Sequence, residues 1–299
     1  MKKLLSTLDN HHIQYVTDEP MKAHTTFKIG GAADVLITVT GVDELRIAAA
    51  ACRDSGVPYM ILGKGSNLLI SDEGIDGAVI ALDGDFKELT VSGDTITSGA
   101  GVALSKLCTA ALENGLAGLE FAYGIPGTVG GAVYMNAGAY GGETRDVCIE
   151  ATYMTPDGEI GTCKADELDF SYRHSIFKEN DSIILYSKYK LTPDDPGAIR
   201  ARMDDYLNRR RTKQPLEYPS AGSVFKRPPG AFAGTLIEQC GLKGRTVGGA
   251  QVSEKHAGFI INVGGATCRD VTDLVKLVQD TVRTQTGYEL ECEIIRTGR

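Results

Sequence analysis

Residues 124–142 read GIPGTVGGAVYMNAGAYGG, and this glycine-rich stretch decides the fold that the sequence predicts. Small side chains dominate two consecutive runs, 124–132 and 136–142, so a flat, extended ligand can lie directly against the backbone. Such a surface suits a dinucleotide cofactor whose pyrophosphate is held by backbone amides. A glycine-rich crossover with a purely structural role is the alternative that these residues leave open.

A shorter glycine-rich loop, Gly63-Lys64-Gly65-Ser66-Asn67, lies upstream. It follows the apolar stretch 57–62, which predicts a parallel strand buried on both faces. The loop is neither an ATP-type G-x-x-x-x-G-K-[ST] loop nor a G-x-G-x-x-G fingerprint, since residue 68 is leucine. It is a candidate phosphate loop, and a plain tight turn is the alternative.

Composition places the chain among soluble globular proteins of more than one lobe. Its 299 residues exceed one typical domain, and 36 of them are glycine, which predicts several close approaches of backbone to ligand. The seven cysteines are scattered without a C-x-x-C pair, so they favour a reducing cytoplasm and no metal site. The first residues turn polar too soon for a signal peptide, and we find no membrane-spanning stretch.

Charge is distributed unevenly along the chain. The net charge of −8 argues against a general nucleic-acid binder. Residues 209–256, however, carry nine Lys/Arg and three Asp/Glu, a local charge of +6 that leaves −14 for the rest. This basic segment could meet a polyanionic small molecule, although a helix ending in solvated basic residues would look the same.

Periodicity and turn residues predict a mixed α and β chain. The first half shows a strand at 34–39, a helix from Asp43, hairpins at 93–94 and 156–158, and a helix through 104–112. After Pro193 the pattern changes to three helical stretches, which places a domain boundary near 193–196.

The segment 218–229, YPSAGSVFKRPP, holds Ser223 behind a glycine and between proline-stiffened flanks. A hydroxyl fixed beside Lys226 and Arg227 could donate a proton or contact an anion. Taken alone, the segment is explained as well by an ordinary proline-rich turn.

Several of these motifs, in this order, resemble one family. GKGSNLL, GIPGTVGGAVYMNAGAYGG, YRHS, YPSAGSVFKRPP, GGAQVSEKHAGFIIN and LECEIIRTG are similar to the UDP-N-acetylenolpyruvoylglucosamine reductases, the MurB family of peptidoglycan synthesis. The resemblance runs from about residue 25 to 298. It implies an α+β fold: an FAD-binding domain of the PCMH or vanillyl-alcohol-oxidase type at 1–193, with lobes at about 1–80 and 81–193, and a substrate-binding α+β domain at 194–299. A last strand near 290–299 would return to the active site.

The resemblance also implies the chemistry. NADPH would reduce FAD, and the reduced flavin would pass hydride to C3 of the enolpyruvyl group, giving UDP-N-acetylmuramate for peptidoglycan precursors in the cytoplasm. Because GKGSN contains neither His nor Cys, FAD should be bound noncovalently. The implied partners are the UDP-sugar and NADPH, without nucleic acid, membrane insertion or metal, in a monomer or weak dimer.

Site residues follow from the same resemblance. Arg173 would bind the substrate carboxylate, Ser223 would protonate C2, and Glu293 would act with Arg173 on the developing charge. Lys213, Lys226 and Arg227 would contact the nucleotide. The residues assigned to FAD are Gly63, Lys64, Gly65, Ser66, Asn67, Gly124, Ile125, Pro126, Gly127, Thr128, Gly130, Gly131, Ala137, Gly138 and Arg210.

Two other functions share parts of this pattern. An FAD-linked oxidase or dehydrogenase of small hydroxy acids could use the same cofactor fold. A flavin-binding regulatory module without catalysis is the second alternative, but it would leave the set Arg173, Ser223 and Glu293 unexplained.

Overall fold

The computed structural model describes residues 1–299 and mixes helices with strands throughout. The helices are α1 Lys2–Asn10, α2 Val42–Asp54, α3 Leu104–Glu113, α4 Val129–Tyr134, α5 Pro196–Lys213, α6 Ala233–Gln239 and α7 Cys268–Thr286. The strands are β1 Gln14–Pro20, β2 Ala32–Val39, β3 Tyr59–Leu62, β4 Leu68–Ile70, β5 Ile75–Leu82, β6 Leu89–Ser92, β7 Thr95–Gly99, β8 Leu116–Ala117, β9 Gly138–Ala139, β10 Gly142–Glu143, β11 Cys148–Met154, β12 Ile160–Lys164, β13 Ile183–Lys190, β14 Thr192–Pro193, β15 Ser220–Ser223, β16 Thr246–Val247, β17 Ala250–Val252, β18 Phe259–Asn262 and β19 Ile295–Thr297. None of the helices combines the length and apolar content that a membrane crossing requires.

The first compact unit comprises Met1–Val16, Val35–Gly63 and Gly77–Arg210. Its five-stranded antiparallel sheet has the order β12-β11-β13-β7-β6. The two predicted hairpins are confirmed there, since β6 pairs with β7 across 93–94 and β11 pairs with β12 across 155–159. Helix α3 also follows the prediction and ends at Glu113, with Leu104, Leu107, Cys108, Ala111 and Leu112 buried on one face.

Strand β3 corrects one expectation. It pairs in parallel with β5, as predicted, but it lies at the edge of its four-stranded sheet. Tyr59, Met60 and Ile61 are therefore only half-buried rather than covered on both faces. The apolar run alone does not reveal whether a strand has one neighbour or two.

The second compact unit is assembled from three separate stretches, Thr17–Asp34, Lys64–Asp76 and Arg211–Arg299. An antiparallel sheet of order β15-β18-β17-β16 shares an apolar core with α6 and α7. Helix α7 is preceded by Thr267, which forms a capping box with Asp270, and is followed by Gly287, whose φ of +76° suits glycine. Strand β19 returns along the chain to pair in parallel with β4.

These units do not divide the chain at the predicted boundary near 193. Helix α5 belongs to the first unit as far as Arg210, because Ile199 and Met203 pack into the same apolar core as Leu191. In turn, residues 17–34 and 64–76 contribute to the second unit through Phe27, Ile29 and Leu69.

Candidate active site

The long glycine-rich run folds as a loop followed by the short helix α4. Thr128 precedes the helix, and its Oγ1 accepts a hydrogen bond from the amide of Gly131 at 3.3 Å. A Cβ built on Gly63 would lie 2.7 Å from that same Oγ1, so the end of β3 approaches Thr128 too closely for any side chain. Within the first unit, residue 63 of the short loop and residue 128 of the long run are thus brought together.

Other glycines of the run are also packed against neighbours. A Cβ on Gly130 would lie 2.9 Å from the Cβ of Ala100, and one on Gly138 would lie 2.9 Å from the Cβ of Glu143. A Cβ on Gly127 would meet Leu104 at an ordinary 3.5 Å. The remaining predicted FAD residues of this run, Ile125, Pro126 and Ala137, lie in the loops on either side of α4.

The side chain of Arg210, on α5, lies next to the start of the same run. A Cβ on Gly124 would lie 3.0 Å from its Cδ, and burial lowers the pKa of the guanidinium. Nearby on α5, Tyr206 stacks on Tyr140 of the run with ring centroids 4.9 Å apart. Helix α5 therefore contacts the glycine-rich run near both ends of that run, at residues 124 and 140.

The loop after β3 fits a phosphate-bearing group. None of the four backbone amides from Lys64 to Asn67 donates a hydrogen bond to another group of the protein. Gly65 has φ +57°, and a Cβ there would lie 2.4 Å from the carbonyl oxygen of His24. Successive amide donors in a glycine-containing loop form a concavity for an anion. Residues 64–67 thus fit the pyrophosphate of a dinucleotide such as FAD.

Arg173 lies at the tip of a two-residue turn. The backbones of Ser171 and His174 exchange hydrogen bonds of 3.2 and 3.3 Å, and Arg173 adopts φ +58° between them. This left-handed conformation costs a non-glycine residue roughly 1–2 kcal/mol, so the surrounding contacts must hold it. The guanidinium carbon lies 5.0 Å from the ring centroid of the exposed Tyr172.

Asn136, for which the sequence suggested no specific role, ties the glycine-rich run to the turn that carries Arg173. Its side chain is fully buried, and Nδ2 donates to the carbonyl of Ser171 at 3.0 Å and to Glu143 Oε2 at 2.7 Å. Its Oδ1 accepts from the amide of Arg145 at 3.0 Å. Buried Ser175 adds a bond from Oγ to the carbonyl of Tyr134 at 2.9 Å. The glycine-rich run therefore supports the turn that carries Arg173.

Ser223 and Glu293 come close together within the second unit. Ser223 ends β15, directly after Gly222 with φ +78°, and pairs with Phe259 of β18. The amide of Glu293 donates to the carbonyl of Val224 at 2.7 Å, and Phe225 forms an antiparallel bridge with Cys292. Asn67 Nδ2 also donates to the carbonyl of Glu293, at 3.2 Å. The tail thus joins the serine segment to the loop at 64–67.

The predicted nucleotide-binding cations follow the same strand. Lys226 continues the pairing with the tail, because its amide donates to the carbonyl of Glu291 at 2.9 Å and its Nζ lies 3.0 Å from Glu291 Oε2. The guanidinium carbon of Arg227 lies 4.4 Å from the ring centroid of Phe232. Lys213 is the exposed last residue of α5. Arg173, Arg210 and the glycine-rich run belong to the first unit, whereas Ser223, Glu293, Lys64–Asn67 and these three cations belong to the second.

Models of known protein families match two separate parts of this chain. Residues 33–164 match the FAD binding domain model, and residues 214–297 match the model described as UDP-N-acetylenolpyruvoylglucosamine reductase, C-terminal domain. Two proteins named UDP-N-acetylenolpyruvoylglucosamine reductase are close relatives. The one from Syntrophomonas wolfei is 48% identical over 94% of each chain, and the one from Agathobacter rectalis is 50% identical over 94% of this chain and 93% of its own.

A solved structure agrees as well. The crystal structure of UDP-N-acetylenolpyruvylglucosamine reductase (MurB) from Thermus caldophilus is 38% identical, with a TM-score of 0.82 over 95% of this chain and 98% of that one. The expected fold, an FAD-binding domain of the PCMH type followed by a MurB C-terminal domain, is confirmed. The chain belongs to the UDP-N-acetylenolpyruvoylglucosamine reductase family of oxidoreductases.

Proposed function

We propose that this protein uses NADPH to reduce the enolpyruvyl group of UDP-N-acetylenolpyruvoylglucosamine to UDP-N-acetylmuramate, a step in peptidoglycan precursor synthesis. Family membership supports the reaction class. The observation that carries the residue assignment is the hydrogen bond from the amide of Glu293 to the carbonyl of Val224, next to Ser223. Ser223, expected to protonate C2, and Glu293, expected to act with Arg173 on the developing charge, lie far apart in the sequence, and this hydrogen bond holds their segments together.

FAD supplies the hydride in this proposal. The four amides at 64–67 would hold its pyrophosphate, and the residues 63, 124–131, 137 and 138 would form the small-residue surface beneath it. No His or Cys lies among these residues, which supports noncovalent binding. Arg210, buried beside Gly124, would place a positive charge at that surface.

Three side chains would act on the substrate. Arg173 would bind the carboxylate next to C2 through its planar guanidinium. Hydride addition at C3 leaves electron density at C2 beside that carboxylate, and Glu293 would act with Arg173 on this developing charge. Ser223 would donate its proton to C2. An alcohol is a weak acid, but an enolate carbon is strongly basic, so the position of the hydroxyl matters more than its pKa.

Phosphate groups would be bound by Lys213, Lys226 and Arg227. No Rossmann fingerprint provides a separate NADPH site, so we propose that NADPH and the UDP-sugar occupy one site in turn. The returning strand β19, held on β4, would keep the tail at this site. Seven free cysteines support a cytoplasmic location, and we propose a monomer or weak dimer.

A steady-state assay tests the overall reaction. Purified protein should be yellow and should oxidise NADPH when UDP-N-acetylenolpyruvoylglucosamine is added. Absence of NADPH consumption with that substrate would falsify the proposed function. Turnover of a hydroxy acid with oxygen, without the UDP-sugar, would instead indicate an oxidase.

The Ser223→Ala variant tests the proton donor. Stopped-flow reduction of the flavin by NADPH should keep its rate, because that half-reaction needs no proton at C2. Reoxidation by the UDP-sugar should slow by roughly 10²-fold or more. Ser220→Ala, on the same strand, is the matched control and should leave both half-reactions intact. Equal losses in the two half-reactions of Ser223→Ala would contradict the assigned role.

A further inference from the structure

The turn that leads into β18 contains a half-buried histidine, His256. Its Nδ1 accepts a hydrogen bond from the amide of Gly258 at 3.1 Å, and its carbonyl accepts from the amide of Phe259 at 3.0 Å. A ring nitrogen that accepts carries no proton, so the imidazole is neutral and its hydrogen is on Nε2. Burial favours the same state, because it lowers the pKa of His256 below its usual 6.5.

Neighbouring groups hold the imidazole in this orientation. The ring of Phe259 meets it edge-on, with centroids 5.0 Å apart and an angle of 70° between the planes. A Cβ on Gly234 of α6 would lie 3.3 Å from Cε1, and one on Gly258 would lie 3.2 Å from Nδ1. The amide of His256 also donates to Oγ of the buried Ser253 at 3.3 Å. The imidazole is thus a fixed part of the turn.

Hydrogen bonds join this turn to the segment that carries the proposed proton donor. The amide of Val224 donates to the carbonyl of Gly258 at 2.9 Å, and Ser223 pairs with Phe259. The carbonyl of Val224 accepts the 2.7 Å hydrogen bond from the amide of Glu293. Contacts therefore lead from the imidazole through Gly258 to the backbone beside Ser223 and Glu293.

We infer that His256 is a positioning residue for the proton donor: its neutral imidazole fixes the turn at Gly258 and thereby the place of the Ser223 hydroxyl. The imidazole does not touch the substrate; it acts through the backbones of Gly258 and Val224. The inference rests on the proposed function, in which Ser223 protonates C2. It adds that the reoxidation of the flavin by the UDP-sugar depends on the protonation state of a histidine outside the set of reacting groups.

Protonation of the imidazole would disrupt this arrangement. Nδ1 would then carry a hydrogen that faces the amide hydrogen of Gly258, and two donors cannot form a hydrogen bond. Two charged groups act on the ring from other elements, Glu238 of α6 and Lys243; they form an ion pair of 2.6 Å, and their effects on the pKa of the imidazole are opposite in sign. On the turn itself, the charged residues Glu254 and Lys255 are exposed. Because burial is the larger cause and lowers the pKa, protonation should weaken the turn only below pH 6.5.

Two substitutions separate the acceptor from the volume of the side chain. His256→Asn keeps an acceptor close to the backbone and does not titrate, whereas His256→Leu fills a similar volume without an acceptor. Stopped-flow absorbance measures flavin reduction by NADPH and flavin reoxidation by the UDP-sugar separately. Hydrogen exchange of the Val224 amide, followed by NMR, reports on the turn without any substrate.

We expect His256→Leu to slow reoxidation by about 5- to 20-fold, because an amide loses its partner and the hydroxyl of Ser223 is displaced. Flavin reduction should keep its rate, and the Val224 amide should exchange faster. His256→Asn should restore most of the reoxidation rate and of the protection from exchange. Relative to this variant, the wild-type reoxidation rate should fall as the pH decreases below 6.5.

Other outcomes overturn the inference. Equal slowing of both half-reactions in His256→Leu, unchanged exchange of the Val224 amide, or no rescue by His256→Asn would each show that the imidazole does not act through this turn. Asp270→Ala removes hydrogen bonds elsewhere in the second unit and should leave both half-reactions intact, which controls for a general loss of stability. If the UDP-sugar does not reoxidise the wild-type flavin, the proposed function fails. If it does, and His256→Leu matches the wild type, this inference alone fails.

Discussion

Asn136 is the residue that links the glycine-rich run to the turn carrying Arg173. It follows α4 with φ +41°, a left-handed conformation that asparagine tolerates better than other non-glycine residues. Its three hydrogen bonds go to Ser171, Glu143 and Arg145. One side chain therefore satisfies groups from two separate parts of the sequence, residues 143–145 and residue 171.

We expect Asn136→Ala to lower the free energy of unfolding by about 2–4 kcal/mol, because it leaves buried hydrogen-bonding groups without partners. The KM for the UDP-sugar should rise as well, since the Arg173 turn loses a support. Urea denaturation and steady-state kinetics measure the two effects. Asn114→Ala is the matched control, as the exposed Asn114 side chain makes one hydrogen bond, to the carbonyl of Ala110. Similar stability losses in the two variants would contradict this account.

At the scale of single residues, the sequence pointed to candidate site residues but not to the side chains that hold them. Gly63 and Gly65 were predicted to let the backbone approach a ligand, and the structure shows each of them in close approach to the protein itself, at Thr128 and His24. The role of Asn136 was missed, since its link to the Arg173 turn runs through Ser171, which lies 35 residues away in the sequence. Its place after a short helix, where asparagine often adopts a left-handed conformation, was the available signal.

At the scale of elements, α7 depends on the hydrogen bonds at its first turn. Asp270 Oδ2 accepts from the amides of Thr267 and Gly249 at 3.0 and 3.1 Å. The hydrogen bond from the Thr267 amide lowers the pKa of the Asp270 carboxyl below its usual 3.8. The ionised carboxylate is thus the form that the folded state favours.

We expect Asp270→Ala to lower the free energy of unfolding by about 1 kcal/mol near neutral pH. The pKa of Asp270 is lower in the folded than in the unfolded protein, so its stabilisation is complete above 3.8 and is lost as the pH falls through the folded-state pKa. Denaturation curves measured at a series of pH values should therefore show the difference in unfolding free energy between wild type and variant becoming smaller as the pH falls below 3.8. Asp273→Ala, on the same helix, should neither lower the free energy of unfolding to this extent nor change its pH dependence. A difference between wild type and Asp270→Ala that stays the same at every pH would contradict the assigned role of the carboxylate.

Elements defined by local signals were predicted well. Helix α7 and the hairpins at 93–94 and 156–158 carry their own periodicity and turn residues. The edge position of β3 could not be predicted, because it depends on which strands pair beside it. Sheet order is decided by contacts between distant segments.

At the scale of the whole molecule, positive charge is concentrated in one segment of the sequence and the rest of the chain is acidic. Residues 209–256 carry +6 and the rest −14, although the net charge is −8. A polyanionic nucleotide bound at this segment would therefore meet a local charge opposite in sign to the net charge of the protein. The two compact units were not predicted from sequence either, because each combines three separate stretches of chain.

We expect the KM for the UDP-sugar to rise with ionic strength, while kcat at saturation changes little. Exposed charges are screened beyond about 10 Å at 0.1 M salt and beyond about 3 Å at 1 M. Kinetics across that salt range measure the slope of log KM against log salt. Lys213→Ala should reduce the slope, whereas Lys276→Ala, an exposed lysine outside the basic segment, should not. A KM independent of salt would contradict an electrostatic contribution.

The interleaved second unit has a consequence for synthesis on the ribosome. Strand β4 pairs with β19, and residues 17–34 and 64–76 are made long before residues 211–299 to which they pack. Phe27, Ile29 and Leu69 must therefore remain without their core partners while most of the chain is translated. Joining such distant segments is an intrinsically slow step. The nascent protein should accordingly depend on chaperones until its last strand is released.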